Sequence, residues 1–360
     1  MLRRMKTHSG MCAYLRRRVR RGPAMYSRLI CFVLMSCVFF PAVSGEILVG
    51  NKAADSVWRL SLDDGRKLGE FATGQAPHEI AVSHDGAIAL VANYGAKQAG
   101  HTLSVLDLRG AAPPRSIDLG EHGRPHGLRF LPGDREALVT TEASKHLLRV
   151  DVASGKIVAA IALGEGKGHM VAVAADGKTA YVSKVDRGTV SRIDLTNNSK
   201  TDEVDAGKGA EGIAVRPGSD EVWVSNRDAG SVSVHDAKTL AIRATLPSPG
   251  FPIRVVFTAD GRHALVSNAR AGTLSVFDAK RKKPVTTIAL QRDGAQYRDT
   301  MLGRAALPIG VIADPKRPRV YVAISGGDEV AVIDRKRWKV IDQWKTGREP
   351  DALALSLGSD

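Results

Sequence analysis

The chain has 360 residues, 43% of them hydrophobic and 25% charged, with a formal net charge of +14 at pH 7. Residues 1–44 carry nine Lys/Arg and no Asp/Glu, so the remainder stands at only +5, and the high pI is no argument for nucleic-acid binding. All three cysteines (Cys12, Cys31, Cys37) also fall in that segment, which leaves residues 45–360 without a disulfide, a thiol nucleophile or a Cys-x-x-Cys-His attachment for covalent c-type haem.

The first 44 residues read as a leader. Met25 to Arg28 give a short basic start, Leu29–Phe40 is an apolar run of signal-peptide length, and Ala42 and Ser44 offer small residues for cleavage. The run is short for a bilayer span, so no transmembrane segment is expected in the mature chain. Residues 1–24, with the arginine cluster between Arg16 and Arg21, read as an over-long upstream start, the true initiator being Met25. The neighbours of those arginines argue against a twin-arginine signal. The sequence around Cys37 argues against a lipid anchor. The expectation is a periplasmic or secreted protein.

From residue 46 onward a single pattern returns. Its copies begin PHEIAVSHDG (Pro77), PHGLRFLPGD (Pro125), GHMVAVAADG (Gly168), AEGIAVRPGS (Ala210), PIRVVFTADG (Pro252) and PIGVIADPKR (Pro308), with a final stub PDALALSLGS (Pro350). Successive copies are 48, 43, 42, 42, 56 and 42 residues apart. A period in the low forties made of short alternating strands predicts an all-β, seven-bladed β-propeller with four antiparallel strands per blade. In blade 2, Ile80–Ser83 alternates, Asp85 and Gly86 make the hairpin turn, and Ala89–Asn93, Thr102–Asp107 and Arg115–Asp118 follow. Blade 1 starts at its second strand, Glu46–Asn51, so Asp351–Leu357 is expected to supply its inner strand and close the ring. The aspartates ending the third strands (Asp107, Asp151, Asp194, Asp236, Asp278, Asp334) are expected in Asx turns.

The second strands read YVSK (Tyr181–Lys184), LVAN (Leu90–Asn93), WVSN (Trp223–Asn226), LVSN (Leu265–Asn268) and YVAI (Tyr321–Ile324). With the Pro125-His126-Gly127 opening, they make residues 46–360 resemble the YVTN family of bacterial seven-bladed propellers. The resemblance implies the fold. It implies little about activity, because related propellers include lactonases, quinoprotein and haem-binding redox subunits, surface proteins and a DNA binder.

The blade-opening positions hold His78, His126, His169, Glu211, Ile253, Ile309 and Asp351, so three imidazoles and two carboxylates are expected around the channel mouth. Glu79 and Arg254 occupy the next position, and Asn51, Asn93, Lys184, Asn226 and Asn268 are expected in a ring beside them. His78, His126, His169 and Glu211 are the candidate metal ligands or proton carriers. Two insertions, 94–101 and 291–307, are expected near the same face; the second holds Arg292, Tyr297, Arg298 and Arg304, enough to cover the mouth or bind an anion. On the other side, Lys280, Arg281, Lys282, Lys283, Lys316, Arg317, Arg319, Arg335, Lys336 and Arg337 form a basic patch that suits an anionic surface or polymer. Trp338 alone interleaves with it, which argues against nucleic acid.

Three readings fit this set. The first is a binding protein, most simply a monomer, taking a small molecule or protein at the mouth. The second is a lactonase- or lyase-type enzyme with a mouth histidine as base. The third is a redox accessory protein holding a non-covalent haem or quinone or docking a cofactor-bearing subunit. The sequence requires no cofactor and names none.

Overall fold

A computed structural model describes residues 45–357; the leader, with the expectations attached to it, lies outside the described residues. Seven four-stranded antiparallel sheets follow one another around a central channel. The inner strands are Pro77–Val82, Pro125–Phe130, Gly168–Val173, Ala210–Val215, Pro252–Phe257, Pro308–Ala313 and Pro350–Ser356. The last pairs with Glu46–Asn51, so the two ends of the propeller share blade 1. The apolar core lies between blades: Leu90, Leu103 and Ile117 of blade 2 pack with Leu128, Val139 and Leu148 of blade 3, and the pattern repeats around the ring. Among the described residues no helix is long and apolar enough to cross a membrane.

Each inner strand is irregular near its start. The register slips by one residue between Pro77 and Glu79, Pro125 and Leu128, Gly168 and Val171, and correspondingly in the other blades. A bulge of this kind adds a residue to one strand and re-aims a side chain. It lets the blade-opening residue turn toward the next blade while the following residue faces the channel. The residue just before the strand adopts positive φ at Ala76, Arg124, Phe251, Leu307 and Glu349, between 52° and 70°, a conformation held only where its surroundings fix it.

The bulge frees a backbone amide, and four blades satisfy it in the same way. The amides of Gly127, Met170, Gly212 and Arg254 donate to Thr140, Ser183, Ser225 and Ser267 on the second strand. Those hydroxyls donate in turn to the carbonyls of His169, Glu211, Ile253 and Ile309, the opening residues of the next blade. Gly212 shows how close this approach is: a Cβ there would lie 2.4 Å from the Ile253 carbonyl oxygen.

The third-strand aspartates accept from amides two or three residues on, as in Asp107 to Arg109, Asp151 to Ser154, Asp236 to Thr239 and Asp334 to Lys336. They sit in the outer turns, away from the channel.

Replacing Ser225 by Ala removes a hydroxyl that serves both the Gly212 amide and the Ile253 carbonyl. The expected loss is about 1–3 kcal/mol, the cost of leaving buried backbone groups unpaired. A lowered urea midpoint with unchanged slope is the readout.

Candidate functional site

The upper end of the channel, where the inner strands begin, is closed by a connected layer of charged and aromatic side chains. His78 Nδ1 lies 3.0 Å from Asp351 Oδ2, and Lys52 Nζ lies 3.4 Å from the same oxygen. The His78 ring stacks on His126 with centroids 5.0 Å apart, and His126 lies against His169 at 3.8 Å. Tyr94 sets its ring edge-on to both His78 and His126, and its hydroxyl donates to Glu142 Oε2 at 2.7 Å. Glu142 Oε1 meets His169 Nδ1 at 2.6 Å, and His169 Nε2 faces Glu211 Oε1 at 3.4 Å. Glu211 also takes Arg227 at 2.6 Å and Arg254 at 3.7 Å, and Arg254 reaches across the channel to pair with Glu79.

Burial shapes the charges in this layer. Desolvation drives His126 well below the ordinary histidine value, and the neighbouring His169, His78, Arg254 and Lys52 charges push it the same way, so the ring is neutral. For His169, desolvation opposes the charge, but Glu211 and Glu142 on its two sides prevail and raise it to about 9. Glu142 and Glu211 are held below the usual carboxylate range: burial opposes this, and the His169 imidazolium between them outweighs it. Asp351 is likewise lowered against its burial by Lys52 and His78. Five buried atoms of this layer have no hydrogen-bond partner: His126 Nδ1, His169 Nε2, Arg227 Nε, Arg254 Nη1 and Asp351 Oδ1. One nitrogen or oxygen each from His126, Glu142 and His169 lie within 4.8 Å of one another, close enough to hold one metal ion.

Below this layer lies a cavity of about 470 Å³. Glu79, Arg254, Asp351 and Arg129 bring charge to its lining, and the walls are apolar. It runs to the opposite face, where His84, Ala259 and Pro315 in the turns after the inner strands rim it.

The structure therefore brings together His78, Glu79, His126, His169, Glu211, Arg254 and Asp351. It does not bring Asn51, Asn93, Asn226, Asn268 or Lys184 to the channel. Each ends a second strand and turns into its blade. Asn93 donates to Thr102 and Ser104, Asn226 to the Ala206 carbonyl and Ser233, Asn268 to Thr273 and Ser275, and Asn51 to Ser56. The Lys184 amine is bonded to the carbonyls of Leu163 and Glu165 and to Glu203. Sequence reasoning missed Tyr94, Glu142 and Arg129. Tyr94 and Glu142 directly follow second strands, and Arg129 stands in an inner-strand column otherwise filled by Ala, Val or Ile, the one signal that exposes it.

The 291–307 insertion forms a small hairpin, Asp299–Thr300 with Gly303–Arg304, and Leu302 and Ala305 pack beside Ile253 and Ile309. Its arginines are engaged: Arg292 by Glu329, Arg298 by Asp328 and Arg304 by Asp299. In the basic patch Lys280, Lys283, Lys316, Lys336 and Arg337 are exposed, and Arg335 is half-buried. Lys282 pairs with Glu221, Arg281 with Asp278, Arg317 with Asp314 and Asp63, and Arg337 approaches Asp334 at 3.9 Å, while Arg319 donates to the Leu62 carbonyl. The patch is thus interleaved with carboxylates.

With known proteins the likeness is partial. The model of the family described as "Cytochrome D1 heme domain" matches residues 133–299, less than half of the chain. The proteins called "Uncharacterized protein YncE" from Salmonella typhi and from Salmonella typhimurium are 29% identical over 147 residues, 40% of this chain and 41% of theirs. Among solved structures, hydrazine synthase of Kuenenia stuttgartiensis matches with a TM-score of 0.67 at 16% identity, covering 84% of this chain and 99% of that one. A functionally unknown protein from Desulfotomaculum acetoxidans DSM 771 matches with a TM-score of 0.71 at 15% identity, covering 87% and 99%. These likenesses establish a β-propeller.

A haem does not fit the matched segment. Its histidines are His146, His169, His235 and His263, and none lines the channel cavity. His169 faces a carboxylate on each side, both nitrogens of His235 are bonded within blade 5, His146 is held by the Ser144 carbonyl, and His263 packs against Trp338.

Because His169 is raised above its unfolded value, near 6.5, its stabilising contribution is complete below that pH and is lost as pH climbs through about 9. In chelator-treated protein, the melting temperature should fall between pH 7 and 9 by the equivalent of about 3 kcal/mol at most. Glu142→Gln should flatten that slope, and a histidine NMR titration of both proteins checks the assignment.

Proposed function

We propose that the protein is a binding propeller whose ligand sits at the upper end of the channel, and that the donors there suit a first-row transition-metal ion such as zinc. The observation that carries this reading is His126: it is only 4% exposed, it is neutral, and its Nδ1 has no hydrogen-bond partner. An imidazole buried this way keeps a free lone pair, an arrangement that costs stability unless something occupies it. Glu142 and His169 supply the second and third donors within 4.8 Å. Two imidazoles and a carboxylate suit zinc and leave a fourth position for an incoming ligand.

The surroundings support the same reading. A metal ion would take the place of the proton between Glu142 and His169. Tyr94 would then steady the other oxygen of Glu142, and Glu211 would orient His169 from its far nitrogen, the outer support that histidine and carboxylate ligands require. The YVTN-like repeats and the basic-then-apolar leader support a protein that works outside the cytoplasm, which fractionation of cells producing the full chain tests.

Protein purified without metal-affinity resin and stripped with chelator should bind one zinc ion by titration calorimetry. His126→Leu and Glu142→Gln should each weaken that binding at least tenfold with unchanged circular dichroism. The half-buried pair His122 and His146, with rings 5.2 Å apart, is the rival site, and His122→Ala should leave the tight equivalent intact. Zinc binding that survives Glu142→Gln, or that disappears with His122→Ala, would overturn the assignment.

A further inference from the structure

We infer that the cavity beneath the histidine layer is a second site, built to take a small organic monoanion, a carboxylate with an apolar body, whose acid group lies on Arg129. One column of the inner strands breaks its pattern in blade 3. Blades 1, 2 and 4–7 place Ala354, Ala81, Ala172, Ala214, Val256 and Ile312 at the fifth position, and blade 3 alone places a cation there. Side chains at the third and fifth positions share one face of a strand, and Arg129 therefore lines the channel one layer below Glu79 and Arg254.

Arg129 has no carboxylate partner. Glu79 is committed to Arg254, and Asp351 to His78 and Lys52. No carboxylate among the described residues lies within 4.0 Å of the Arg129 guanidinium, whose one hydrogen bond is from Nη1 to the carbonyl of Leu128 at 2.8 Å. Burial pushes its pKa below the usual arginine value. A guanidinium has five donors in a planar fork matched to a carboxylate, and four of these are unused. Arg254 Nη1, without a hydrogen bond but 3.7 Å from Glu211, stands at the same lining.

The charge count sets the ligand's valence. The cavity is lined by two arginines and two carboxylates; Glu79 is paired with Arg254, and Asp351 with Lys52 and His78 outside the lining, so Arg129 is the lining cation left without an ion pair. A dianion would meet Glu79 and Asp351. The walls set the rest of the ligand: Val82, Phe130, Met170, Val255, Phe257 and Leu355 offer no polar side chain and favour an apolar body. Entry is from the face rimmed by His84 and Pro315, opposite the histidine layer, so this site is reached without disturbing the other.

Octanoate and benzoate are the probes, titrated into chelator-treated protein so that the outcome is independent of zinc. At least one should bind one-to-one, and octanol and inorganic phosphate should bind at least tenfold more weakly. Arg129→Met should lose that binding tenfold or more while its own melting temperature, without ligand, stays the same or rises, because a half-buried cation without a carboxylate partner has been removed. Arg129→Lys should retain part of the affinity, since a point charge replaces a two-pronged donor. Failure of both carboxylates to bind, equal binding of octanol, or full octanoate affinity in a folded Arg129→Met protein would each overturn the inference.

Discussion

The ring hangs on one recurring contact: a second-strand hydroxyl that accepts from the bulged amide of its own blade and donates to the first carbonyl of the next. The contact joins local geometry to global assembly, since neither the amide nor the carbonyl has another partner in the sheet ladder at that point. It runs through blades 3 to 6, from Thr140 to Ser267. In blades 1, 2 and 7 the same column holds Gly50, Ala92 and Ala323. There the junctions rest on packing and on ionic contacts such as His78 with Asp351.

The candidate site is a by-product of that joint. Without a bulge, strict alternation would send the opening residue and its successor to opposite faces of the sheet. With it, His78, His126, His169 and Glu211 lean sideways along the ring and touch in sequence, while Glu79 and Arg254 meet across the opening. The resulting row alternates carboxylate and cation from Tyr94 and Glu142 through His169 and Glu211 to Arg254 and Glu79. Such a row is stiff, because every charge but the terminal Glu79 is held by two neighbours, and it spans the channel at one end. The histidine layer and the cavity below are therefore separate compartments that share Glu79, Arg254 and Asp351 as a common partition.

Blade number and closure were legible because repetition multiplies a weak signal. A single PHEIAV segment is an ordinary strand, but seven at a near-constant spacing leave few other architectures. The opening column was legible for the same reason, since His78, His126, His169 and Glu211 fill equivalent places. What alignment of repeats cannot convey is the direction in which a side chain turns. Asn93 and Asn226 stand at the end of a strand near the mouth, yet third-strand hydroxyls and the carbonyls of adjoining loops draw them into the blade. Tyr94 and Glu142 were invisible because they follow the strands, where the repeats diverge. Arg129 lay in a column that otherwise reads as plain wall.

The closing strand has a consequence for timing. His78 and its partner Asp351 are 273 residues apart, and the strand carrying Asp351 follows every other strand of the ring in the sequence. Until that strand docks beside Glu46–Asn51, blade 1 has no inner edge, Asp351 is missing from the partition, and the cavity lacks Leu353 and Leu355 from its wall. Contacts so distant in sequence form late and slowly. A chain whose other blades have formed still lacks a complete partition and cavity wall until this strand docks, so the cavity is a product of ring closure rather than of any single blade.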